Sequence, residues 1–263
     1  MRHPKFRPGR ALAAVSLAAV VCVGGFAVAQ VVPRSGYLGD AADKTITLVG
    51  PAPVAGSPRA EADRAIFRAT RAMKGTPRWA MAQADFPTAN VVANMSCSIG
   101  TKMDLATMPA TLKLILQMAP DITRAVNAPK AFYARPRPYK IDPGETCGVL
   151  PASEDNFDYP SGHSAWGWAV ALVLAEMLPE RADAILSRGR AVGDGRAICG
   201  VHNYSSVVAG QSVAAAIVAA QHTKPQFQAD FAAAKVELEA ALKAAPFTEG
   251  CEAEAKVLAT PAW

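Results

Sequence analysis

The chain has 263 residues, of which 51% are hydrophobic, and its formal net charge at neutral pH is +5. Four of the positive charges lie in the first ten residues, and without those four the net charge is +1. The basic balance therefore gives no argument for nucleic-acid binding. The length suffices for one sizeable domain, which we expect at residues 61–263.

The first 29 residues have the layout of a secretory signal peptide. A basic head without acidic residues precedes an apolar run at 11–23, and small residues stand at Ala27 and Ala29, the −3 and −1 positions before Gln30. A membrane anchor is the alternative, but the apolar run is short for a membrane span and Gly24-Gly25 interrupts its extension. We therefore expect cleavage after residue 29 and a periplasmic or secreted protein.

The rest of the chain predicts an extended arm followed by helices. Residues 30–60 are rich in Pro, Gly and Ala and include a strand-like stretch at 45–49. Apolar spacing then predicts helices from Glu61 onward. These are a first helix after residue 61 and further helices at 109–126 with a break near Pro120, 162–178, 180–198, 206–221 and 227–245.

Two apolar runs, at 165–178 and 207–220, decide between a membrane protein and a soluble one. Each is shorter than the roughly 18 residues that a membrane span requires. They therefore predict buried helices, and the fold class that follows is all-α, a compact soluble helical bundle.

Four cysteines remain after signal removal, an even number that is typical of disulfide bonds in an oxidising compartment. Their spacings are too wide for a CxxC-type metal site, so we interpret all four as structural. Four cysteines allow three pairings, and the sequence does not choose among them. The four are Cys97, Cys147, Cys199 and Cys251.

A basic cluster lies in the Pro-rich stretch after the 109–126 helix. Lys130 and Arg137 are seven residues apart, and Pro138 follows the arginine. Arg137 can donate two hydrogen bonds to two phosphate oxygens, and Lys130 adds a compact positive charge. The pair can converge on one small anion, although taken alone the cluster also fits an exposed basic loop.

The string Pro160-Ser161-Gly162-His163 stands immediately before an apolar helix. Ser161 is a favourable N-cap, and Gly162 lets the backbone approach a ligand closely. Because the first N–H groups of a helix point outward at its positive end, this position suits a phosphate group. The alternative is an ordinary capped helix with an incidental histidine.

A third string, from Arg196 to His202, spans a helix end and the turn beyond it. His163 and His202 both lie close to glycines and arginines, which is not typical of core histidines. His222 ends a helix and is interpreted as a surface cap. A histidine nucleophile and a second histidine as general acid suffice for phosphoryl transfer without a metal.

Taken in order, Lys-x6-Arg-Pro, Pro-Ser-Gly-His and Arg-x5-His resemble the three-part signature of the type 2 phosphatidic acid phosphatase superfamily. The gaps of 21 and 32 residues between the strings fit that signature. The resemblance covers about residues 60–245 and points to the periplasmic branch, the class A non-specific acid phosphatases. It implies a helical bundle of the acid phosphatase and vanadium haloperoxidase type.

The resemblance also implies a role for each matched residue. His202 would attack phosphorus to give a phosphohistidine, and His163 would protonate the leaving alcohol and then activate water. No metal or other cofactor is required on this reading. The residues expected to hold the non-bridging phosphate oxygens are Lys130, Arg137, Ser161, Gly162 and Arg196.

The third string departs from the family pattern, Ser-Arg-x5-His-x3-Asp, at two positions. Gly195 replaces the serine, and Ser206 replaces the aspartate that orients the nucleophilic histidine and offsets its positive charge. Loss of the comparable carboxylate in a Ser-His-Asp triad slows kcat about 10⁴-fold. We therefore expect weakened turnover and a gain from Ser206→Asp, unless another carboxylate such as Asp194 substitutes.

The function implied is a periplasmic acid phosphatase that hydrolyses phosphate monoesters. Its expected partners are small phosphomonoesters and phosphate, with no nucleic acid and no stable membrane span after signal removal; a homo-oligomer is left open. The alternatives are a catalytically silent phosphate- or anion-binding homologue, a vanadium haloperoxidase and a lipid phosphatase. The short chain and the closer likeness to acid phosphatases disfavour the haloperoxidase, and the lack of membrane spans disfavours the lipid phosphatase.

Overall fold

The computed structural model describes residues 35–150 and 156–263, so the signal segment and the start of the arm lie outside the described residues. Within these ranges the only β-pairing is an isolated bridge between Thr101 and Pro246, and the all-α prediction is confirmed. The α-helices are α1 (Ile46–Val49), α2 (Pro58–Arg71), α3 (Pro77–Ala84), α4 (Asn90–Ala93), α5 (Ser96–Ile99), α6 (Pro109–Tyr133), α7 (Gly162–Met177), α8 (Ala182–Ile198), α9 (Tyr204–Gln221), α10 (Pro225–Ala244) and α11 (Cys251–Ala259).

Helix α7 is the centre of the bundle and packs against α6, α8 and α9. Its sequence is apolar on nearly every side, which is the pattern of a helix surrounded by others rather than one at a surface. Val170, Leu174 and Met177 of α7 are almost fully buried. The buried core continues through Met118 of α6 and Ile217 of α9.

Glycines let two neighbouring helices approach α7 closely. A Cβ atom at Gly189 of α8 would lie 2.2 Å from the Cβ of Ala171. A Cβ atom at Gly210 of α9 would lie 2.3 Å from the carbonyl oxygen of Ser161. Because nonbonded atoms do not approach so closely, a larger residue would push α8 or α9 away from α7. The second contact brings α9 against the start of α7.

Helix α6 is longer than the sequence predicts. It continues through Pro120 and Pro129 to Tyr133, so the predicted break near Pro120 is wrong. A proline removes one helical hydrogen bond, but burial of the flanking Met118 and Ile122 in the core stabilises the continuous helix. Lys130 therefore lies in the last turn of α6 rather than in a loop.

The arm at 35–57 is folded against the bundle. The stretch predicted as a strand forms the single turn α1, and this prediction is wrong. The Thr45 hydroxyl donates to the carbonyl of Ala125 in α6, and the Val49 carbonyl accepts from the Tyr159 hydroxyl. Residues 45–49 thus contact helices of the bundle, and no strand lies beside them in the described ranges.

The cysteines form two disulfide bonds, Cys97–Cys251 and Cys147–Cys199. The first fastens α11 to α5, two short helices that the sequence did not predict. The second joins the loop after Arg137 to the end of α8. No helix in the described part of the chain has the length and apolar character of a membrane span.

Candidate active site

The three sequence strings meet at one end of the bundle. Lys130 comes from the end of α6, and its Nζ donates to the carbonyl of Pro160 just before α7. Arg137, from the following loop, places Nη1 3.0 Å from Nε2 of His202, which lies in the turn between α8 and α9. The charge of Arg196, at the end of α8, acts on Lys130 as well as on His202. The structure therefore brings together side chains from four segments.

The turn that carries His202 depends on the end of α8. Gly200 has φ +68, in the left-handed region that favours glycine. The N–H groups of Val201 and His202 both donate to the Arg196 carbonyl, which closes the turn. Cys199, bonded to Cys147, lies three residues before the histidine. Helix termination and a disulfide together fix the position of His202.

His202 has a defined partner for each ring nitrogen. Nδ1 lies 2.9 Å from Oδ1 of Asp158, and Nε2 lies 3.0 Å from Nη1 of Arg137. An arginine only donates and a carboxylate accepts, so Nδ1 carries the hydrogen and Nε2 carries the lone pair. Burial, then the charges of Arg137, Lys130 and Arg196, hold the pKa of His202 well below its ordinary value. The ring is thus neutral, with a lone pair directed at the cationic side chains.

The carboxylate partner of His202 corrects the sequence interpretation. Ser206 does not contact the ring; its hydroxyl donates to Asp158, which is fully buried beneath His202. Asp194 is not the substitute either, because it pairs with Arg78 and Arg190. Asp158 stands two residues before Pro160, just outside the second string. That proximity to the string was the only signal for it in the sequence.

Lys130 is a partly buried side chain. Its Nζ donates to the carbonyls of Phe157 and Pro160, which leaves one of its three hydrogens for a ligand among the described contacts. Burial, followed by the charge of Arg137, lowers the pKa of Lys130 to about 7, and Asp158 opposes this shift. Lys130 is therefore cationic at acidic pH and loses its charge near neutrality.

Arg137 is held by main-chain and side-chain oxygens. Nε donates to the carbonyl of Asn156, Nη2 donates to the side-chain oxygen of the same residue, and Nη1 donates to the carbonyl of Val201. Burial lowers the pKa of Arg137 while Asp158 raises it. These bonds fix the guanidinium plane beside His202.

Arg196 has the clearest unmet hydrogen-bonding capacity. Its Nε and Nη1 are buried and have no partner among the described residues, and its guanidinium stacks on the Phe86 ring at 4.7 Å. Burial, then the charge of Arg137, lowers the pKa of Arg196 to about 9. Buried donors of this kind are normally satisfied, so an anion is the ligand that this position favours.

The start of α7 supplies the neutral side of the site. Ser161 is the N-cap, and its hydroxyl oxygen accepts from the N–H of Ser164, as the sequence predicted. The Ser161 N–H donates to the Ser206 carbonyl, which ties α7 to α9. Gly162 is the first helical residue, and its N–H lies at the positive end of the helix.

His163 is held by the loop after α3. Its Nε2 donates to the carbonyl of Asp85 over 2.7 Å, and Nδ1 lies 3.1 Å from the Thr88 hydroxyl. Burial, then the charge of Arg196, lowers the pKa of His163 to about 3, while the Asp85 carbonyl opposes this. Nδ1 is therefore the ring nitrogen whose partner is a side chain rather than a main-chain carbonyl.

His222 does not belong to this group. It caps the C-terminal end of α9 and lies beside Glu176 and Phe227. Since α9 has 18 residues and begins two residues after His202, His222 lies about 27 Å along the helix from the site. In the described residues no cluster of three or more His, Cys, Asp or Glu side chains is placed to hold a metal.

Comparison with known proteins places this geometry in a family. The model for the PAP2 superfamily matches residues 108–229, which include all three strings. The acid phosphatase of Zymomonas mobilis is 36% identical over 198 residues, covering 73% of this chain and 75% of that protein. The non-specific acid phosphatase of Providencia stuartii is 36% identical over 198 residues, covering 73% of this chain and 80% of that protein.

A third relative, the non-specific acid phosphatase of Salmonella typhimurium, is 36% identical over 197 residues, covering 72% of this chain and 77% of that protein. Each of these shared regions is longer than the superfamily match. The resemblance read from the three strings is therefore confirmed, and so is the enzyme class. The chain belongs to the PAP2 superfamily, in its group of bacterial acid phosphatases.

Proposed function

We propose that this protein hydrolyses phosphate monoesters outside the cytoplasm through a phosphohistidine formed on Nε2 of His202. The observation that carries the proposal is the pairing of a neutral His202, whose lone pair faces Arg137, with the unpartnered donors of Arg196. A phosphate group between these side chains satisfies the buried donors and meets the lone pair. The names of the relatives support the same substrate class.

In the first step the lone pair on Nε2 of His202 forms a bond to phosphorus and the bond from phosphorus to the ester oxygen breaks. The non-bridging oxygens remain anionic and are held by Lys130, Arg137 and Arg196, with the α7 N-terminus beside them. Positive charge fixed in advance stabilises the charge that spreads over these oxygens in the transition state. The three cations supply this charge, so the proposed reaction calls for no metal or other cofactor.

His163 supplies the proton to the leaving oxygen. Because Nε2 is engaged by the Asp85 carbonyl, the transferable proton is the one on Nδ1, where Thr88 now lies. In the free site the pKa of His163 is about 3, so acidic conditions favour the protonated form. The negative charge of a bound phosphate ester raises that pKa, which gives His163 its proton in the complex.

In the second step neutral His163 accepts a proton from water as the water oxygen attacks phosphorus. The bond between phosphorus and Nε2 breaks, the electron pair returns to His202, and phosphate leaves. The proton on His163 is then available for the next alcohol. One water is consumed and one alcohol and one phosphate are released per cycle.

The location outside the cytoplasm is proposed on two grounds. The first 29 residues have the layout of a secretory signal peptide, and the four remaining cysteines are paired in two disulfides. Fractionation of expressing cells tests it: activity should leave with the periplasmic or secreted fraction. Activity confined to the cytoplasm would contradict it.

The catalytic proposal is tested with p-nitrophenyl phosphate at acidic pH, comparing the wild-type chain with His202→Ala. We expect hydrolysis by the wild type, unchanged by a chelator, and loss of at least about 10³-fold in kcat for the variant. His222→Ala is the matched control, a histidine of the same bundle outside the site, and should keep full activity. Phosphate binding by a folded wild-type chain without turnover would instead favour a silent anion-binding protein.

The acid role of His163 has its own test. With His163→Asn, kcat/KM, which reports phosphoryl transfer to His202, should fall far more for esters of basic alkyl alcohols than for p-nitrophenyl phosphate, because p-nitrophenolate leaves without a proton. Equal loss for both classes of ester would contradict the assignment.

A further inference from the structure

Asp158 and Ser206 meet beneath His202, although one precedes α7 and the other lies in α9. Oδ1 of Asp158 accepts from Nδ1 of His202, and Oδ2 accepts from the hydroxyl of Ser206 over 2.6 Å. Positions 158 and 206 are therefore adjacent across the helix interface. A carboxylate at either position therefore lies on the Nδ1 side of the His202 ring.

From this juxtaposition we infer that Asp158 is the positioning carboxylate of His202, supplied by the loop before α7, with Ser206 as its hydrogen-bonding partner. The inference rests on the proposed function, since it assigns a residue that acts through the nucleophile. It also means that a serine at position 206 does not leave His202 without a carboxylate. The activity of this chain should therefore not be weakened on that account.

The hydrogen bonds around Asp158 are those of an ionised carboxylate. Besides His202 and Ser206, Asn203 donates twice: its N–H to Oδ1 over 3.1 Å and its side-chain amide to Oδ2 over 2.8 Å. Nη1 of Arg135 lies 3.3 Å from Oδ2. Burial raises the pKa of Asp158, and Arg135, Ser206 and Asn203 oppose that rise. With donors on both oxygens, the carboxylate has no need of a proton of its own.

Arg135 links this carboxylate to a second one. Its Nη2 lies 2.8 Å from Oδ2 of Asp63 in α2, and its Nη1 donates to the Ser205 hydroxyl over 2.7 Å. Asp63 in turn accepts from the N–H of Ser205 at the start of α9. Arg135 therefore sits between two buried carboxylates and holds Asp158 against α9 without contacting His202.

Two consequences for the reaction follow from this arrangement. The hydrogen bond to Asp158 keeps the hydrogen on Nδ1, so the lone pair stays on the nitrogen that faces Arg137 and the anion site. When Nε2 bonds to phosphorus the ring gains positive charge, and the carboxylate offsets it. Asp158 thus acts on the formation of the phosphoenzyme rather than on the binding of phosphate.

A four-member cycle tests the inference: wild type, Asp158→Ser, Ser206→Asp and the double exchange. Asp158→Ser should lower kcat for p-nitrophenyl phosphate by about 10²–10⁴-fold, as loss of the carboxylate does in a Ser-His-Asp triad, while inhibition by inorganic phosphate changes less than about threefold. Ser206→Asp places a second carboxylate against the first and should lower kcat as well. The double exchange returns one carboxylate and one hydroxyl to the same space and should recover at least tenfold over Asp158→Ser.

Asp194→Asn is the matched control, because Asp194 is an equally buried carboxylate paired with arginines but not with His202. It should lower the melting temperature and leave kcat within about twofold.

If Asp158→Ser does not fold, Asp158→Asn keeps the shape and should still show a loss in kcat at unchanged phosphate inhibition. A folded Asp158 variant with near wild-type kcat, or a folded double exchange no better than the single variant, would overturn the inference. An inactive wild type, or activity retained in His202→Ala, would instead refute the proposed function.

Discussion

Arg188 and Asp85 form a doubly hydrogen-bonded ion pair in the interior, with Nη1–Oδ2 at 2.8 Å and Nη2–Oδ1 at 2.6 Å. Each residue is only 1% exposed. Arg188 belongs to α8, whereas Asp85 belongs to the loop whose carbonyl accepts from Nε2 of His163. The ion pair therefore joins the helix that carries Arg196 to the loop that orients His163.

Breaking this ion pair should impair both stability and turnover. Arg188→Leu leaves the Asp85 carboxylate buried without its partner, and we expect a loss of about 3–5 kcal/mol in the free energy of unfolding. Urea unfolding measures that loss, and kinetics at low temperature should show kcat reduced more than KM is raised. The control is Lys256→Ala, which removes an exposed ion pair to Glu252 and should cost less than about 0.5 kcal/mol. If folded Arg188→Leu has an unchanged kcat, the ion pair does not position His163 for the reaction.

The charge of Lys130 should set the alkaline limit of activity. Lys130 faces Arg137, Arg196 and Asp158, and its pKa is about 7, so the cation proposed to hold phosphate is present below that pH and lost above it. For an ester that stays fully ionised, kcat/KM should therefore fall as pH rises through about 7. In Lys130→Arg the side chain stays charged, and this alkaline fall should move to higher pH. If kcat/KM falls at the same pH in the wild type and in Lys130→Arg, a group other than Lys130 causes the fall.

Gly200 should tolerate no side chain. Its φ is +68, and a Cβ would lie 2.4 Å from Nη1 of Arg71. Nη2 of the same arginine donates to the carbonyls of Ala197 and Ile198 at the end of α8. Gly200→Val combines left-handed strain with displacement of Arg71, and should lower the melting temperature and kcat together. Gly75→Val is the control, with φ +81 but open space around it. It should lose stability through backbone strain alone and keep kcat; equal effects at both sites would contradict a role for the turn.

The two disulfides should differ in their effect on catalysis. Replacing either pair by alanines should cost about 2–5 kcal/mol in the free energy of unfolding, because each bond closes a long loop. Loss of Cys147–Cys199 should also lower kcat, since Cys199 is three residues from His202. Loss of Cys97–Cys251 frees only α11 and should leave kcat near wild type. The measurements are thermal unfolding and steady-state kinetics below the melting temperatures, and identical kcat values would contradict the distinction.

Much of the bundle was predictable because its central helices have long, continuous apolar stretches. The boundaries of α7 and α9 follow from such stretches and from the capping residue Ser161. The short helices α3, α4, α5 and α11 escaped prediction because packing and, for α11, a disulfide hold them in place rather than a local pattern. The continuity of α6 through Pro120 likewise depends on burial that no local signal reports.

In the candidate site, too, the residues marked by a local pattern were predictable and the one placed by tertiary packing was not. That Lys130, Arg137 and Arg196 lie near one another could be predicted from the sequence, because each belongs to a short string with its own pattern. The partner of His202 could not, since Asp158 lies 44 residues away along the chain and reaches the ring only where α9 packs against the start of α7. A motif that expects a carboxylate at position 206 overlooks one that arrives from a neighbouring segment.

The central claim, a covalent intermediate on His202, is tested most directly by quenching the enzyme during turnover of a good phosphate ester. Peptide mass spectrometry and the stability of the label to alkali but not to acid then identify the modified side chain. The proposal predicts a phosphoryl group on Nε2 of His202, present in the wild type and absent from His202→Ala. Rapid hydrolysis with no label on the enzyme, or a label on any other residue, would contradict it.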